Sequence, residues 1–297
     1  MPDRSRLGLG TVQFGLDYGI ANSEGQVGAE EVSAILDFAA KAGLKVLDTA
    51  AAYGSSELVL GEQLPAASSF RIVTKTIPVR RPNITGEDAQ KVAETFQASL
   101  RRLRQPSIDT VLVHHADDLL VPGGEALYAQ LMEWKQRGLI ARVGVSVYDR
   151  PQIDRLLERY RFDVMQLPVS VYDQRLIANG TLAMLHDAGV EIHVRSVFLQ
   201  GILLMQTHDL PAHFVAMAGH HECYLDRLQA ANVSPLAAAL GFVARLAEVG
   251  IVLVGVNSLR HLQECIAAFD QSAALDCAEF AIDDAQLIDP RCWPSRG

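Results

Sequence analysis

Eight short apolar runs, spread along the chain and separated by longer amphipathic stretches, restrict the fold more than any other feature of this sequence. They are RLGLG (6–10), LKVLD (44–48), RIVTK (71–75), DTVLVHH (109–115), IARVGVS (140–146), FDVMQL (162–167), VEIHVRS (190–196) and IVLVGVN (251–257). Each reads as a strand. EEVSAILDFAAKAG (30–43) has helical apolar spacing and ends on Gly43, a helix-stopping residue. TGEDAQKVAETFQASLRRL (85–103) opens on Thr85, a cap residue, with acids in its first turn. Further helices are expected near 124–137, 150–159, 180–188, 234–248 and 258–269, the last capped by Ser258. Strands alternating with helices predict a parallel sheet with helical crossovers. Eight units in 297 residues suit an α/β fold of the (β/α)8 TIM-barrel type, although a doubly wound open sheet also accommodates eight strands. No Gly/Ser or Pro tract divides the chain, so residues 1–297 are expected to form one barrel domain. The stretch 203–233 lacks a strand and carries His208, His213, His220 and His221; it reads as a long loop or extra helix after strand seven.

The balance of charges narrows the partners. A formal charge of −9 argues against a nucleic-acid surface, which needs clustered Lys and Arg. The one dense basic run, RRLR (101–104), reads as a solvated helix end favourable to the helix dipole. Cys223, Cys265, Cys277 and Cys292 are scattered with no CxxC spacing, which suits reduced thiols and offers no metal site. The opening MPDRSRLGLG lacks the apolar core of a signal peptide, and no apolar run approaches the ~20 residues that span a bilayer. The expectation is a soluble cytoplasmic protein with neither nucleic-acid nor membrane partner.

In a parallel barrel all strand C-termini emerge on one face, where chemistry collects. The polar residues at those ends are Asp48, Lys75, His114 with His115, Ser146 and Gln166, and Tyr53 lies in the loop leaving strand two. Singly, each has an ordinary structural explanation. Asp48 could cap a helix, Tyr53 could plug the mouth and Lys75 could snorkel to solvent. Together they make a device. A phenol with pKa ≈ 10 is a poor acid at neutral pH. A nearby ammonium lowers that pKa, a carboxylate pairs the ammonium, and an imidazole can orient a carbonyl oxygen.

These residues also sit in ordered motifs. LGLGT (7–11), LDTAAAYGSSELVLGEQL (47–64), VTK (73–75) and DTVLVHHAD (109–117) resemble the signature of the aldo-keto reductase superfamily over nearly the whole chain. The resemblance implies a barrel that binds NAD(H) or NADP(H) without a Rossmann domain, and a catalytic tetrad of Asp48, Tyr53, Lys75 and His114. It implies cofactor contacts from Thr11 and Val12, from Asp48, and from Ser146 and Gln166. Where that family usually reads G.SN, this chain reads GVSVY, so Val147 replaces an amide. VRSVFLQGILL (194–204) resembles the pyrophosphate loop, which assigns Arg195, Ser196, Val197, Phe198, Gln200 and Gly201 to the cofactor. Arg195 stands where an aromatic ring usually stacks on the nicotinamide. A planar guanidinium can stack, and its charge would favour reduced over cationic oxidised nicotinamide; the rival reading is a surface Arg in a salt bridge. VGVNSLRHLQECI (254–266) resembles the adenosine-binding element, with Gly255, Asn257, His261, Glu264 and Cys265 on contact positions and Arg260 adjacent. Neutral His261 is a weak phosphate ligand, which leans the cofactor toward NAD(H).

The first loop, VQFGLDYGIAN (12–22), and the 203–233 stretch are expected to wall a small carbonyl substrate, with Phe14, Tyr18 and His115 as contacts. The leading expectation is a carbonyl reductase. The rival is an NAD(H)-binding regulator with a protein partner, because QFGLDYGIAN also resembles the KidO-like bacterial subgroup of these barrels.

Overall fold

The structure is a computed structural model that describes residues 3–20, 22, 24–64, 68–271 and 275–294. Its eight strands are β1 (Leu7–Gly10), β2 (Val46–Asp48), β3 (Arg71–Lys75), β4 (Ile108–Val113), β5 (Ile140–Ser146), β6 (Val164–Pro168), β7 (Glu191–Arg195) and β8 (Val249–Gly255). Every strand is parallel to its neighbours, and β1 pairs with β8 to close a barrel in sequence order. The fold is therefore the (β/α)8 barrel rather than an open sheet.

Helices α1 (Ala29–Ala42), α2 (Ser56–Gln63), α3 (Gly86–Arg102), α4 (Gly124–Gln136) and α5 (Arg150–Leu157) follow the first five strands. Two short helices, α6 (Arg175–Ala178) and α7 (Thr181–Asp187), follow β6. The long connection after β7 runs through 3₁₀ turns into α8 (Ala218–Ala230) and α9 (Pro235–Ala244). Helix α10 (Leu259–Gln271) follows β8, and α11 (Ala285–Ile288) lies near the C-terminus. The sequence cues hold where they are local. Gly43 adopts φ 93° at the end of α1, and Thr85 with Asp88 forms a reciprocal capping box on α3. Ser258 caps α10 by accepting from the His261 amide. The RRLR run is not wholly solvated: Arg102 reaches back to the buried Glu57 carboxylate at 2.6 Å, and Glu57 also accepts from Thr74.

Strand alternation sets two layers. Leu47, Val111, Val113, Val145, Met165, Leu167, Ile192 and Val194 pack outward against the helices. Val46, Val73, Leu112, Val164, Ile251 and Leu253 form a separate cluster inside the barrel. Side chains along a strand repeat with a period of two. The next inward positions toward the C-terminal ends are therefore Asp48, Lys75, His114 and Gln166, two residues past Val46, Val73, Leu112 and Val164. An inward polar layer sits directly on an inward apolar one.

The 203–233 stretch supplies the extra helix. Its face joins a second apolar cluster with Tyr172, Phe214, Tyr224 and Phe280. His221 is fully buried, donating to the Met205 carbonyl and receiving the Tyr172 hydroxyl at 2.7 Å. His220 and His213 donate to the Phe280 and Gln286 carbonyls, while His208 is exposed. Two of these four histidines, His213 and His220, thus tie the insertion to the C-terminal segment, and His221 ties it to the segment after β6. Among the described residues no helix is long and apolar enough to cross a membrane, and no group of three or more His, Cys, Asp or Glu could hold a metal ion.

Candidate active site

The inward polar layer opens into a cavity of about 440 Å³ at the C-terminal mouth of the barrel, within the usual range for a small-molecule site. At its base Lys75 Nζ stands 2.6 Å from Asp48 Oδ2 and donates to the Thr49 carbonyl at 2.8 Å. Gln166 Nε2 donates to the other Asp48 oxygen at 2.7 Å. Lys75 and Asp48 are only 2% and 5% exposed, so each charge is neutralised by the other inside the barrel. Burial disfavours the Lys75 ammonium, but Asp48 and Tyr53 outweigh it and hold the pKa above its usual value.

The Tyr53 ring lies over this pair, with Lys75 Nζ 4.8 Å from its centroid, and meets the His114 ring edge-on at 5.8 Å. Its position depends on two glycines. A Cβ on Gly15 would collide with the Tyr53 carbonyl and the Ser56 amide, and one on Gly54, at φ 55°, would strike the Gly15 carbonyl. The loop leaving β1 and the loop bearing Tyr53 can approach this closely only without side chains. Burial raises the Tyr53 pKa, and Lys75 pulls against it without prevailing. That corrects the expectation of a net lowering: the lysine limits the rise.

His114 lies one residue beyond the end of β4, and its backbone amide donates to Thr76. Burial first, then the nearby charges of Lys75 and Arg195, push its pKa down to about 3. The imidazole is therefore neutral at ordinary pH, and its buried Nδ1 has no hydrogen-bond partner among the described residues. His115 faces elsewhere. It pairs with Asp118, which also accepts the Val79 and Arg80 amides, and it is outside the cavity lining.

Most residues expected to contact a cofactor line this cavity. Thr11, Val12, Ser146 and Gln166 do so near the base. Arg195, Ser196, Val197, Phe198, Gln200 and Gly201 form the wall after β7, and Gly255, Asn257 and His261 the far end. The wall after β7 has Ser196, Leu199, Gln200 and Gly201 at positive φ. Successive amides in such loops form concavities suited to anions. Among the described residues Arg195 has no salt-bridge partner. Its guanidinium donates to the Val147 carbonyl at 3.1 Å and lies 4.3 Å over the Tyr148 ring.

Three expectations fail at the periphery. Cys265 is buried in the core, its thiol pushed up to about 12 by burial, because α10 turns that face inward. Glu264 points to solvent and pairs with Arg260 one turn earlier at 2.8 Å. Phe14 is fully buried in the outer core rather than in the cavity. Tyr18, by contrast, lines the mouth and is 41% exposed. Ala21, in the same first loop, lies outside the described residues.

The cavity has further lining residues that were not singled out individually, three of them inside the first loop and the 203–233 stretch expected to wall a substrate. Gln13 contributes a buried Oε1 with no hydrogen-bond partner among the described residues. Asn22 accepts from Asn257 Nδ2 at 2.7 Å, joining the first loop to the far end. Tyr148, Leu204 and Pro290 also line it. Gln13, Asn22 and Tyr148 lie within stretches whose flanking residues attracted attention, whereas Pro290 lies beyond every motif.

The closed barrel and this mouth define the protein class. The aldo/keto reductase family model matches residues 6–285, and the chain belongs to that family. It is 24% identical to pyridoxal 4-dehydrogenase of Microbacterium luteolum, covering 90% of each chain. Among solved structures it is similar to an aldo-keto reductase from Bacillus halodurans in its holo form, with TM-score 0.71, 21% identity, and 93% and 89% of the two chains covered. It is also similar to a glycerol dehydrogenase from Gluconobacter oxydans, with TM-score 0.66, 19% identity, and 90% and 88% covered. The family comprises oxidoreductases that use nicotinamide cofactors on small carbonyl compounds.

Proposed function

We propose that this chain is a cytoplasmic carbonyl reductase, one barrel domain acting on a small aldehyde or ketone, with NADH its better reductant. The observation that carries the reading is the Asp48–Lys75 pair beneath Tyr53 and beside neutral His114, at the base of a cavity long enough to extend to His261. The residues present fit a nicotinamide dinucleotide. Unpartnered buried atoms on His114 and Gln13 await hydrogen bonds, and the positive-φ loop after β7 suits a pyrophosphate. When bound, the reduced cofactor supplies a hydride.

The chain's own residues handle the oxygen. His114, neutral, donates a hydrogen bond that orients the carbonyl. Tyr53 gives its proton to that oxygen. Lys75 stabilises the phenolate left behind, and Asp48, fixed by Gln166, keeps the lysine charged and aimed. Ser146 and Gln166 are assigned to the carboxamide of the cofactor, Val147 leaving that clamp one group short. The lean to NADH rests on the far end, where Arg260 is engaged by Glu264 and, of the two basic residues there, His261 lines the cavity. Arg195 adds a redox bias, since its charge disfavours the cationic oxidised ring.

The test is consumption of NADH and NADPH with a panel of aldehydes and ketones, wild type against Tyr53→Phe. Turnover abolished by the substitution supports the reading. Val147 and Arg195 favour one alternative, an NAD(H)-binding regulator with a protein partner, and tight binding without turnover on any carbonyl would establish it instead.

A further inference from the structure

Arg195 needs a holder, and the cavity wall provides one. A guanidinium on a long stem loses its rotamer freedom only if neighbours fix it. One hydrogen bond, to the Val147 carbonyl, anchors Nη2, and a longer one of 3.4 Å joins Nη1 to Ser196 Oγ. The rest of the support is aromatic: the guanidinium carbon lies 4.3 Å from the Tyr148 ring centroid. Tyr148 is itself held firmly. Its amide donates to Gln152 Oε1 at 3.0 Å, and its ring carries a second guanidinium, that of Arg291, at 4.2 Å. Arg291 is fixed in turn by Asp289 at 2.6 Å and Asp149 at 2.9 Å. A run of stacked planar groups thus links the C-terminal segment to the wall at residue 195.

We propose that Tyr148 is the positioning residue that holds Arg195 flat against the cavity, so that a fixed positive charge faces the nicotinamide and sets the preference between its redox forms. The ring and the guanidinium have traded places: where an aromatic side chain would stack directly, an aromatic side chain from the loop after β5, two strands away, holds a cation in its stead. The inference rests on the nicotinamide reading of this site and adds a residue to it. Tyr148 acts through Arg195, by the attraction of an aromatic face for a cation, and its hydroxyl plays no part.

The experiment is fluorescence titration of the full chain with NAD⁺ and NADH, read as the ratio of the two dissociation constants, for wild type, Tyr148→Phe, Tyr148→Leu and Arg195→Tyr. The expected wild-type ratio favours NADH. Tyr148→Phe retains it, Tyr148→Leu lowers it by about three- to tenfold, and Arg195→Tyr lowers it at least as far. The double variant Tyr148→Leu/Arg195→Tyr should then match Arg195→Tyr alone, which a merely structural role for Tyr148 would not produce. A ratio unchanged in Tyr148→Leu but altered in Arg195→Tyr overturns the role of Tyr148 while leaving the dinucleotide site standing. A loss in Tyr148→Phe as large as in Tyr148→Leu overturns it too, because the hydroxyl would then be the active part. Failure of the wild type to bind either dinucleotide overturns the nicotinamide reading itself.

Discussion

At the scale of single residues, the site is a balance between burial and pairing. Tyr53 is pushed toward its neutral, protonated form by burial, and Lys75 opposes this. A phenol that keeps its proton until the carbonyl oxygen needs it is the right donor for reduction. Tyr53→Phe is expected to lower kcat by about 10²- to 10⁴-fold while NADH affinity stays within about twofold of wild type, checked by steady-state rates and titration. Lys75→Met strands Asp48 with Gln166 as its one remaining side-chain partner. Removing one member of a buried pair costs about 3–5 kcal/mol, so the urea midpoint should fall together with activity. His114, with its pKa near 3, stays neutral from pH 5 upward, so its ionisation should leave no inflection near 6.5 in the rate profile. An inflection that disappears in His114→Gln would contradict its neutral, donating role.

At the scale of elements, strand phase is what brings the proposed tetrad together. Asp48, Lys75 and His114 each follow an inward apolar residue by two positions, so a shift of one residue in any of these strands would send its functional side chain out among the helices. The strands and their polar ends were legible from the apolar runs, and the caps at Gly43 and Thr85 from local signals, but the phase was not, because strands buried on both faces show no alternation. Thr85→Ala is expected to cost about 1 kcal/mol in denaturant unfolding. Less visible were contacts between distant loops. Nothing in QFG or YGS announces that Gly15 and Gly54 must touch, since the need arises only when two loops meet. Gly15→Ala should destabilise by about 2 kcal/mol or more and displace Tyr53, seen as lost melting temperature and lost turnover together. Helix phase misled at Glu264 and Cys265. Motif alignment put both on contact positions, but α10 presents one to solvent and the other to the core. Pro290 escaped because no motif marks a wall built by a C-terminal segment, and Tyr148, though inside GVSVY, because that comparison turns on Ser146 and Val147.

At the scale of the whole molecule, the proposed site occupies one end of the barrel and charge closes the other. Arg142 joins Asp109 and Glu191 near the strand starts, and Arg71 and His193 join the same glutamate. Despite partial burial these partners hold the Glu191 pKa near 2. Both ends make stability depend on acid, in separate windows. For Glu191 the folded value lies below the ordinary 4.5, so its contribution is present above 4.5 and is lost as pH falls toward 2. For His114 the unfolded chain binds the proton more readily, so stability declines as pH drops from 6.5 toward 3 and is flat above 6.5. Urea midpoints across pH 3–8 should fall in both windows, and His114→Gln should flatten the upper one. The eight-fold alternation made the barrel readable, whereas its closure, the insertion's docking and the C-terminal wall depend on contacts between residues far apart in the chain. The most direct test of the catalytic assignment is NADH oxidation in the presence of a carbonyl panel, with wild type and Tyr53→Phe at matched cofactor saturation. Oxidation by the wild type and its near-complete loss in Tyr53→Phe is the expected result. Saturable NADH binding with no oxidation on any carbonyl, or equal oxidation by both proteins, would contradict it.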